Sequence, residues 1–498
     1  MTTSIAIIGA GMGGMAAGIY GQVNGYETQI FELHTRAGGQ CASWTRKGYT
    51  FDACIHHFFG CRPGSGPYQL WHELGAMPRE LVTIEECTAV ASPDGKMFTD
   101  YYDLEKLKET LVKLSPADLK MIEQYIGLIQ AFASNRVSGV MSSGSFWKMV
   151  KALPWMLPIR KWMRFNMRDF AGRFSDPFLR NAFALLVYSG PDSPLFFHLG
   201  RHAGGLNGDL RWPVGGAAQF TRSIEKRYLE LGGKVHYGSR VERILVENDK
   251  AVGIRLADGS EHRADVVISN ADGRKTIFDM LDGKYINEIV RGYCAPLSDE
   301  TPFAIDVCLG VNRDLSREPS SLIMLLAQPV TMGNHKYESI EAQFYGFDKT
   351  MAPPGKGTIK VELPASYAYW KKLYSEDRER YKEEKQKVAE GVIEILERHF
   401  PGIKEQVEVI DVATLMTWER YMGGSQGWFN LPNRKMDFST REDPSDKRFK
   451  MTLPGLSNFY FVGVWSTMAP SLFHNANSGK TIIRRICQKN GRKFRPEP

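Results

Sequence analysis

The chain has 498 residues, 43% of them hydrophobic and 24% charged, with 63 basic against 56 acidic side chains and a formal charge of +7. That length exceeds what one core holds and suits two or three domains, while so mild a basic excess does not by itself announce a nucleic-acid binder. Seven cysteines, spread out with no CxxC pair, argue against a disulfide scaffold and read as reduced, buried thiols of a cytosolic protein.

The first informative stretch is IAIIGAGMGGMAAGIYG, Ile5 to Gly21. No Lys or Arg precedes it, and its glycines weaken a helix interior by roughly 1 kcal/mol each, so it suits neither a secretory leader nor a spanning helix. Read as strand, turn and helix, it places each glycine. Ser4 to Ile8 is a short apolar strand and Met15 onward a helix; Gly9 permits the tight turn, Gly11 lets backbone approach a pyrophosphate, and Gly14 lets the helix pack on the strand. The following strand, TQIFEL, contains Glu32, 18 residues beyond Gly14, about where a carboxylate takes the hydroxyls of an adenosine ribose. Together these features predict dinucleotide binding.

Next comes HTRAGGQCASWTRKGYTFDACIHHFFG, with Gly38 and Gly39 as a second point of close approach. Residues 103–189 then turn to long helical patterns rich in Leu, Met, Phe and Trp, which predict a separate helical layer. Within it, Ser145 to Phe165 interleaves Trp147, Trp155 and Trp162 with Lys and Arg, a composition suited to a membrane-surface helix or to the lid of a substrate tunnel. His198 and His202 have the spacing of a metal pair, but Gly200, Gly204 and Gly205 argue against a stable helix there.

A helix from Ala217 to Leu231 is expected to end at Gly232-Gly233, followed by short strands turning at Gly238, Asn248-Asp249 and Asp258-Gly259. FAIDVCLGV, SLIMLLA and IEAQFYGF read as strands of a second domain, and YKEEKQKVAEGVIEILERHF as an amphipathic helix with Val388, Val392, Ile395, Leu396 and His399 on one face. GGSQG, Gly423 to Gly427, matches a nucleophile elbow by expression but lacks its strand and helix. A last strand, FYFVGVW, leads into the helix SLFHNANSGKTIIRRICQ.

In order along the chain, GAGMGGMAAGIY, the segment ending in His56-His57, RWPVGGAAQF, ADVVISNAD, MAPPGKGTIKV and ATLMTWERYMGGSQGWF resemble the FAD-dependent carotenoid and phytoene desaturase family. That family includes carotenoid isomerases and retinol saturases, within the wider amine-oxidase-like flavoproteins. The resemblance implies an α/β fold: a discontinuous Rossmann-like FAD-binding domain (1–75, 205–275 and 453–498), an inserted α+β substrate domain (76–204 and 276–452), and the helical layer as a candidate for membrane association. It implies FAD as cofactor, contacted by Gly9, Gly11, Met12, Gly13, Gly14, Glu32, Leu33, Gly38, Gly39, Gln40, Val241, Gly463, Val464 and Trp465. Two positions depart from the family pattern, Gln40 where many relatives carry Arg and Val464 where many carry an acid.

The same resemblance implies desaturation, saturation or isomerisation of a carbon-carbon double bond in a hydrophobic isoprenoid, with an electron donor or acceptor left open and no nucleic-acid partner. His56 takes the place of a motif histidine that exchanges a proton near the flavin, or is a core histidine. Glu419 and Arg420 fall near the substrate end of the flavin, or form a surface ion pair. Trp465 and His474 flank the last flavin-facing turn as ring contact and polar neighbour, or simply pack. The expected location is cytoplasmic, with peripheral membrane contact as an option. Two rivals stand beside this reading: an amine oxidase on the same scaffold, and a flavin-free protein that escorts prenylated GTPases.

Overall fold

A computed structural model of the protein describes residues 2–134, 161–187, 190–295, 300–424, 451–466 and 471–497. Five short segments form a parallel sheet in the order Lys234–His236, Glu27–Phe31, Ser4–Ile8, Val266–Ser269 and Phe459–Phe461. Three of these strands lie more than 200 residues from the amino-terminal pair, which is why the domain is assembled from separated pieces.

One face of this sheet is covered by the helices Met12–Val23, Gly216–Glu230 and Leu472–Lys489. Small residues set how closely they approach. A Cβ on Gly479 would lie 2.5 Å from the Ala17 amide nitrogen, and one on Gly18 would lie 2.7 Å from the Tyr228 ring. The other face packs Ala6, Ile8, Phe31 and Val267 against Ile244, Ala251 and Ile254 of a three-stranded antiparallel sheet (Val241–Glu247, Lys250–Leu256, Glu261–Arg263). Its turns fall where the sequence expects them, with Gly238, Asn248, Asp249 and Gly259 all at positive φ.

A second, seven-stranded sheet runs Val407–Ala413, Glu300–Val311, Gly357–Ser366, His335–Phe344, Ser321–Met332, Glu86–Ala91 and Met97–Tyr101. The amphipathic helix Arg378–His399 lies on it, burying Val388, Val392, Ile395 and Leu396, while His399 stays half-buried. Around the edge strands sit the helices Leu104–Leu114, Leu119–Ala133, Met167–Ala171, Pro177–Ala184 and Leu195–Leu206, packed on Val90, Phe98 and Ile323.

The helix Leu195–Leu206 corrects one expectation. It carries Gly200, Gly204 and Gly205 and forms nonetheless, because tertiary packing outweighs propensity. A Cβ on Gly204 would come 2.9 Å from the Phe59 ring and one on Gly205 2.2 Å from the Tyr102 ring, so the glycines are what let the helix dock. His198 and His202 face inward and are fully buried.

No helix among the described residues is long and apolar enough to cross a membrane. The surface-helix candidate lies outside the described residues up to 160. Its described end packs onto the helical layer, with the Trp162 ring 5.8 Å from Phe170 and the Arg173 guanidinium 5.0 Å above it. GGSQG lies outside the described residues from 425 onward.

Candidate active site

The carboxyl ends of four parallel strands, at Ile8, Phe31, Ser269 and Phe461, open into one cavity of about 710 Å³. A crevice there is where open parallel sheets take their ligands, and the volume lies in the range of small-molecule and cofactor sites. Each strand is followed by a residue that lines the cavity: Gly9, Glu32, Asn270 and, two residues after the last, Gly463.

The first turn is built for close approach. Gly9 has φ +93°, and its amide donates to the Phe31 carbonyl at 2.8 Å. Gly11 caps the helix Met12–Val23, whose first turn carries no acidic side chain and receives no side-chain cap. The unpaired amides and positive dipole end of that helix therefore face the cavity, which suits an anion. Gly38, at φ +120°, donates to the Ala10 carbonyl at 2.9 Å and bridges to Gly11, so a second glycine turn is pinned beside the first.

Glu32 is 8% exposed. Its Oε2 accepts from the Ala10 amide at 2.6 Å and its Oε1 from the His34 amide at 2.8 Å. Burial pushes its carboxyl up, and the two amides act against that rise.

Gly9, Gly11, Met12, Gly13, Glu32, Leu33, Gly38, Gly39, Gln40, Val241, Gly463, Val464 and Trp465 all line the cavity. Gly14 does not; a Cβ there would sit 2.1 Å from the Gly9 carbonyl oxygen, so it spaces helix from strand. Trp465 is buried, with the Arg274 guanidinium 5.2 Å from its ring and Gly273 pressed beneath it. His474 is absent from the wall, which is completed there by Ser471, Leu472 and Asn475. Gln40, where the resemblance implies an Arg in many relatives, carries no charge. Four residues upstream Arg36 also lines the cavity, tied by Nη1 to the Ser43 carbonyl at 2.8 Å and by Nε to the Tyr421 hydroxyl at 2.7 Å.

Asn270 was given no role by the sequence reading. Its amide donates to the Ile8 carbonyl at 2.8 Å, and its side chain fills the angle between two glycine turns. A Cβ on Gly11 would lie 2.5 Å from its Nδ2, and one on Gly463 close to its Oδ1. The signal that finds it is positional: it is the residue after the strand Val266–Ser269, which pairs with the fingerprint strand.

His56 lines the cavity and contacts the second sheet behind it. Its Nε2 is 3.3 Å from Glu362 Oε1, and Gln343 Nε2 donates to its Nδ1. The Tyr345 hydroxyl donates to Gln343 Oε1 at 2.9 Å, which orients the amide and leaves the imidazole proton on Nε2, toward Glu362. Burial pushes His56 down to about 4, the Glu362 carboxylate opposing, so the ring is neutral near pH 7. Behind it the Lys360 ammonium is 2.6 Å from Glu362 Oε1 and fully buried. Burial pushes Glu362 up, but Lys360 outweighs it and the carboxyl stays below its ordinary value. His57 is buried beside it in a loop.

Glu419 and Arg420 do not line the cavity, contrary to the expectation that set them at the substrate end. The helix Leu415–Met422 turns Glu419 toward Lys371 Nζ, 3.4 Å away, and the Tyr367 hydroxyl, while its last turn presents Tyr421 and Met422 instead.

A glycine-walled cradle that side chains would fill, a helix terminus for a diphosphate and a buried carboxylate for a ribose together fit a dinucleotide, and define a Rossmann-type nucleotide-binding protein. The chain belongs to the flavin containing amine oxidoreductase family, whose model matches residues 12–477, and its cofactor is FAD. It is similar to the chloroplastic prolycopene isomerase of Daucus carota, 24% identical over 446 residues that cover 85% of this chain and 71% of that protein. It is also similar to the lycopene-forming phytoene desaturase of Pseudescherichia vulneris, 24% identical over 87% of this chain and 92% of that one. In fold it matches the crystal structure of an oxidoreductase from Methanosarcina mazei, with TM-score 0.60 and 20% identity over 97% of this chain and all of that one.

Proposed function

We propose that this FAD-dependent enzyme desaturates, saturates or isomerises a carbon-carbon double bond of a carotenoid-like or other isoprenoid polyene. The observation that carries the reading is one cavity that holds the dinucleotide cradle and reaches His56, whose ring is hydrogen-bonded to Gln343 of the seven-stranded sheet. A cofactor laid along the cradle ends against the sheet on which a long apolar substrate is to be bound. Relatives named for prolycopene isomerisation and phytoene desaturation, similar over most of the chain, support that substrate class.

FAD, when bound, supplies two-electron chemistry at a carbon next to the polyene. The chain's own residues hold and shield it. The amides at the start of the helix Met12–Val23 and the turn Gly38-Gly39 take the diphosphate, with Met12, Gly13 and Asn270 around them, and Glu32 takes the ribose. Gln40, Val241, Gly463, Val464 and Trp465 form the remaining wall. His56 holds its proton on Nε2 against Glu362, available for exchange at the substrate end. Residues 1–75, 205–275 and 453–498 act as the FAD-binding domain, the remainder as the substrate domain. Attachment to a membrane surface through residues 145–165 gives an oily substrate its entry; liposome pelleting that is equal for the wild type and for a Trp155→Ala, Trp162→Ala double variant rejects it.

Anaerobic incubation of the flavin-loaded protein with carotenoids, retinoids and unsaturated lipids, followed by mass analysis, tests the reading. A product two hydrogens lighter or heavier identifies desaturation or saturation, and an unchanged mass with altered retention identifies isomerisation. Turnover of amines with none of polyenes overturns it in favour of an amine oxidase.

A further inference from the structure

Two of the seven cysteines stand on the wall of the flavin cavity, Cys41 and Cys54. The hairpin that places them pairs Ser43 with Asp52, Trp44 with Phe51, Thr45 with Thr50 and Arg46 with Tyr49. The Ala53 amide donates to the Ala42 carbonyl at 2.9 Å, which extends the ladder one rung further. The next rung sets Cys41 opposite Cys54.

The face of the hairpin matters. Alternate rungs of an antiparallel pair lack backbone hydrogen bonds and bring their side chains closest. Thr45 and Thr50 touch through their hydroxyls at 3.2 Å, Ser43 Oγ donates to Asp52 Oδ2 at 3.1 Å, and Cys41 and Cys54 take the next rung in the same register. All three are rungs of the same face. Cross-strand neighbours at such a rung have the Cα and Cβ separations a disulfide requires. Both cysteines are free thiols; Cys41 is 2% exposed and Cys54 partly exposed.

We propose that Cys41 and Cys54 are a redox-active dithiol in the wall of the flavin cavity, which a small peroxide converts to an intramolecular disulfide. The proposal goes beyond the polyene reading and does not depend on it. Cys54, the more accessible, attacks first: its sulfur bonds to one peroxide oxygen, the O–O bond breaks, and one water leaves with the thiol proton. Cys41 then displaces the sulfenic hydroxyl as a second water and the S–S bond forms. The two sulfurs together lose two electrons and the peroxide oxygens gain them. The neighbouring Cys54 and burial push the Cys41 thiol up, as suits the second partner. Closing the bond clamps the turn Gly38-Gly39-Gln40, immediately before Cys41, against the hairpin.

Full-length, flavin-loaded protein treated with hydrogen peroxide, quenched with N-ethylmaleimide and mapped without reduction tests this. The expected result is one cross-linked peptide pair joining residues 41 and 54, two hydrogens lighter than the dithiol and restored by dithiothreitol. The other five cysteines take up the alkylating agent after unfolding. In Cys41→Ser, Cys54 is expected to accumulate as a dimedone-reactive sulfenic acid, whereas in Cys54→Ser Cys41 stays a thiol. Alkylation of both Cys41 and Cys54 in peroxide-treated wild type, or a cross-link among other cysteines, overturns the proposal.

Discussion

At the scale of single residues the cradle is defined by what its glycines exclude. Valine at position 11 places a side chain against Asn270 Nδ2, 2.5 Å from the new Cβ, on the line a diphosphate would take. Gly11→Val is expected to weaken FAD binding by roughly 100-fold or more, about 2.7 kcal/mol, with little change in far-ultraviolet circular dichroism; a purified variant carrying stoichiometric flavin contradicts the site. Gly14→Ala acts differently, since its Cβ meets a backbone oxygen at 2.1 Å, which no side-chain motion relieves. That variant is expected to lose about 1–3 kcal/mol of stability in urea unfolding. The glycines and Glu32 were readable from the sequence because their spacing follows from one strand, one turn and one helix. Asn270 was not: its place beside Gly11 depends on pairing across 261 residues, which no local pattern encodes.

Elements show the same division between local and long-range information. The strands and the helix Arg378–His399 were legible from periodicity, whereas the helix Leu195–Leu206 was not, because Gly204 and Gly205 are explained only by the rings of Phe59 and Tyr102. What fastens that helix to the strand Met97–Tyr101 is Asp100, fully buried, whose Oδ2 lies 3.6 Å from His198 Nε2 and Oδ1 3.4 Å from His202 Nε2, with the Tyr125 hydroxyl donating at 3.2 Å. Burial pushes the Asp100 carboxyl up, but the two histidines and Arg201 draw it below its ordinary value. Asp100→Ala strands these buried groups and is expected to cost roughly 2–3 kcal/mol, with proteolysis beginning in the helical layer. Cleavage and unfolding unchanged from wild type would show that apolar packing alone holds the layer.

For the whole molecule, buried histidines and one buried aspartate carry a large part of how stability follows pH. Burial lowers His56 and His198 from 6.5 to about 4 each, and raises Asp306 from 3.8 to about 8, with Glu362 directly opposite it in the sheet. Below pH 6.5 the unfolded chain takes up the protons of His56, His198 and His57, all lowered by burial, that the native protein refuses, so stability falls as pH falls toward 4. Asp306 acts the other way: the native state alone keeps its proton between pH 3.8 and 8, so its contribution is complete in acid and is lost as pH rises through that window. At about 1.4 kcal/mol per proton and pH unit, the histidines win below 6.5 and Asp306 is unopposed by them between 6.5 and 8. Stability is therefore expected to peak near pH 6.5. Asp306→Asn keeps an oxygen to accept the Trp418 Nε1 proton, donated at 2.8 Å in the wild type, but cannot ionise. The variant is expected to lose the alkaline decline, so that wild type falls relative to it by roughly 1–2 kcal/mol between pH 6.5 and 8 in urea unfolding. Parallel curves for the two proteins across that interval would mean that Asp306 is already ionised in the native sheet, and that its burial beside Glu362 is met by charge rather than by a proton.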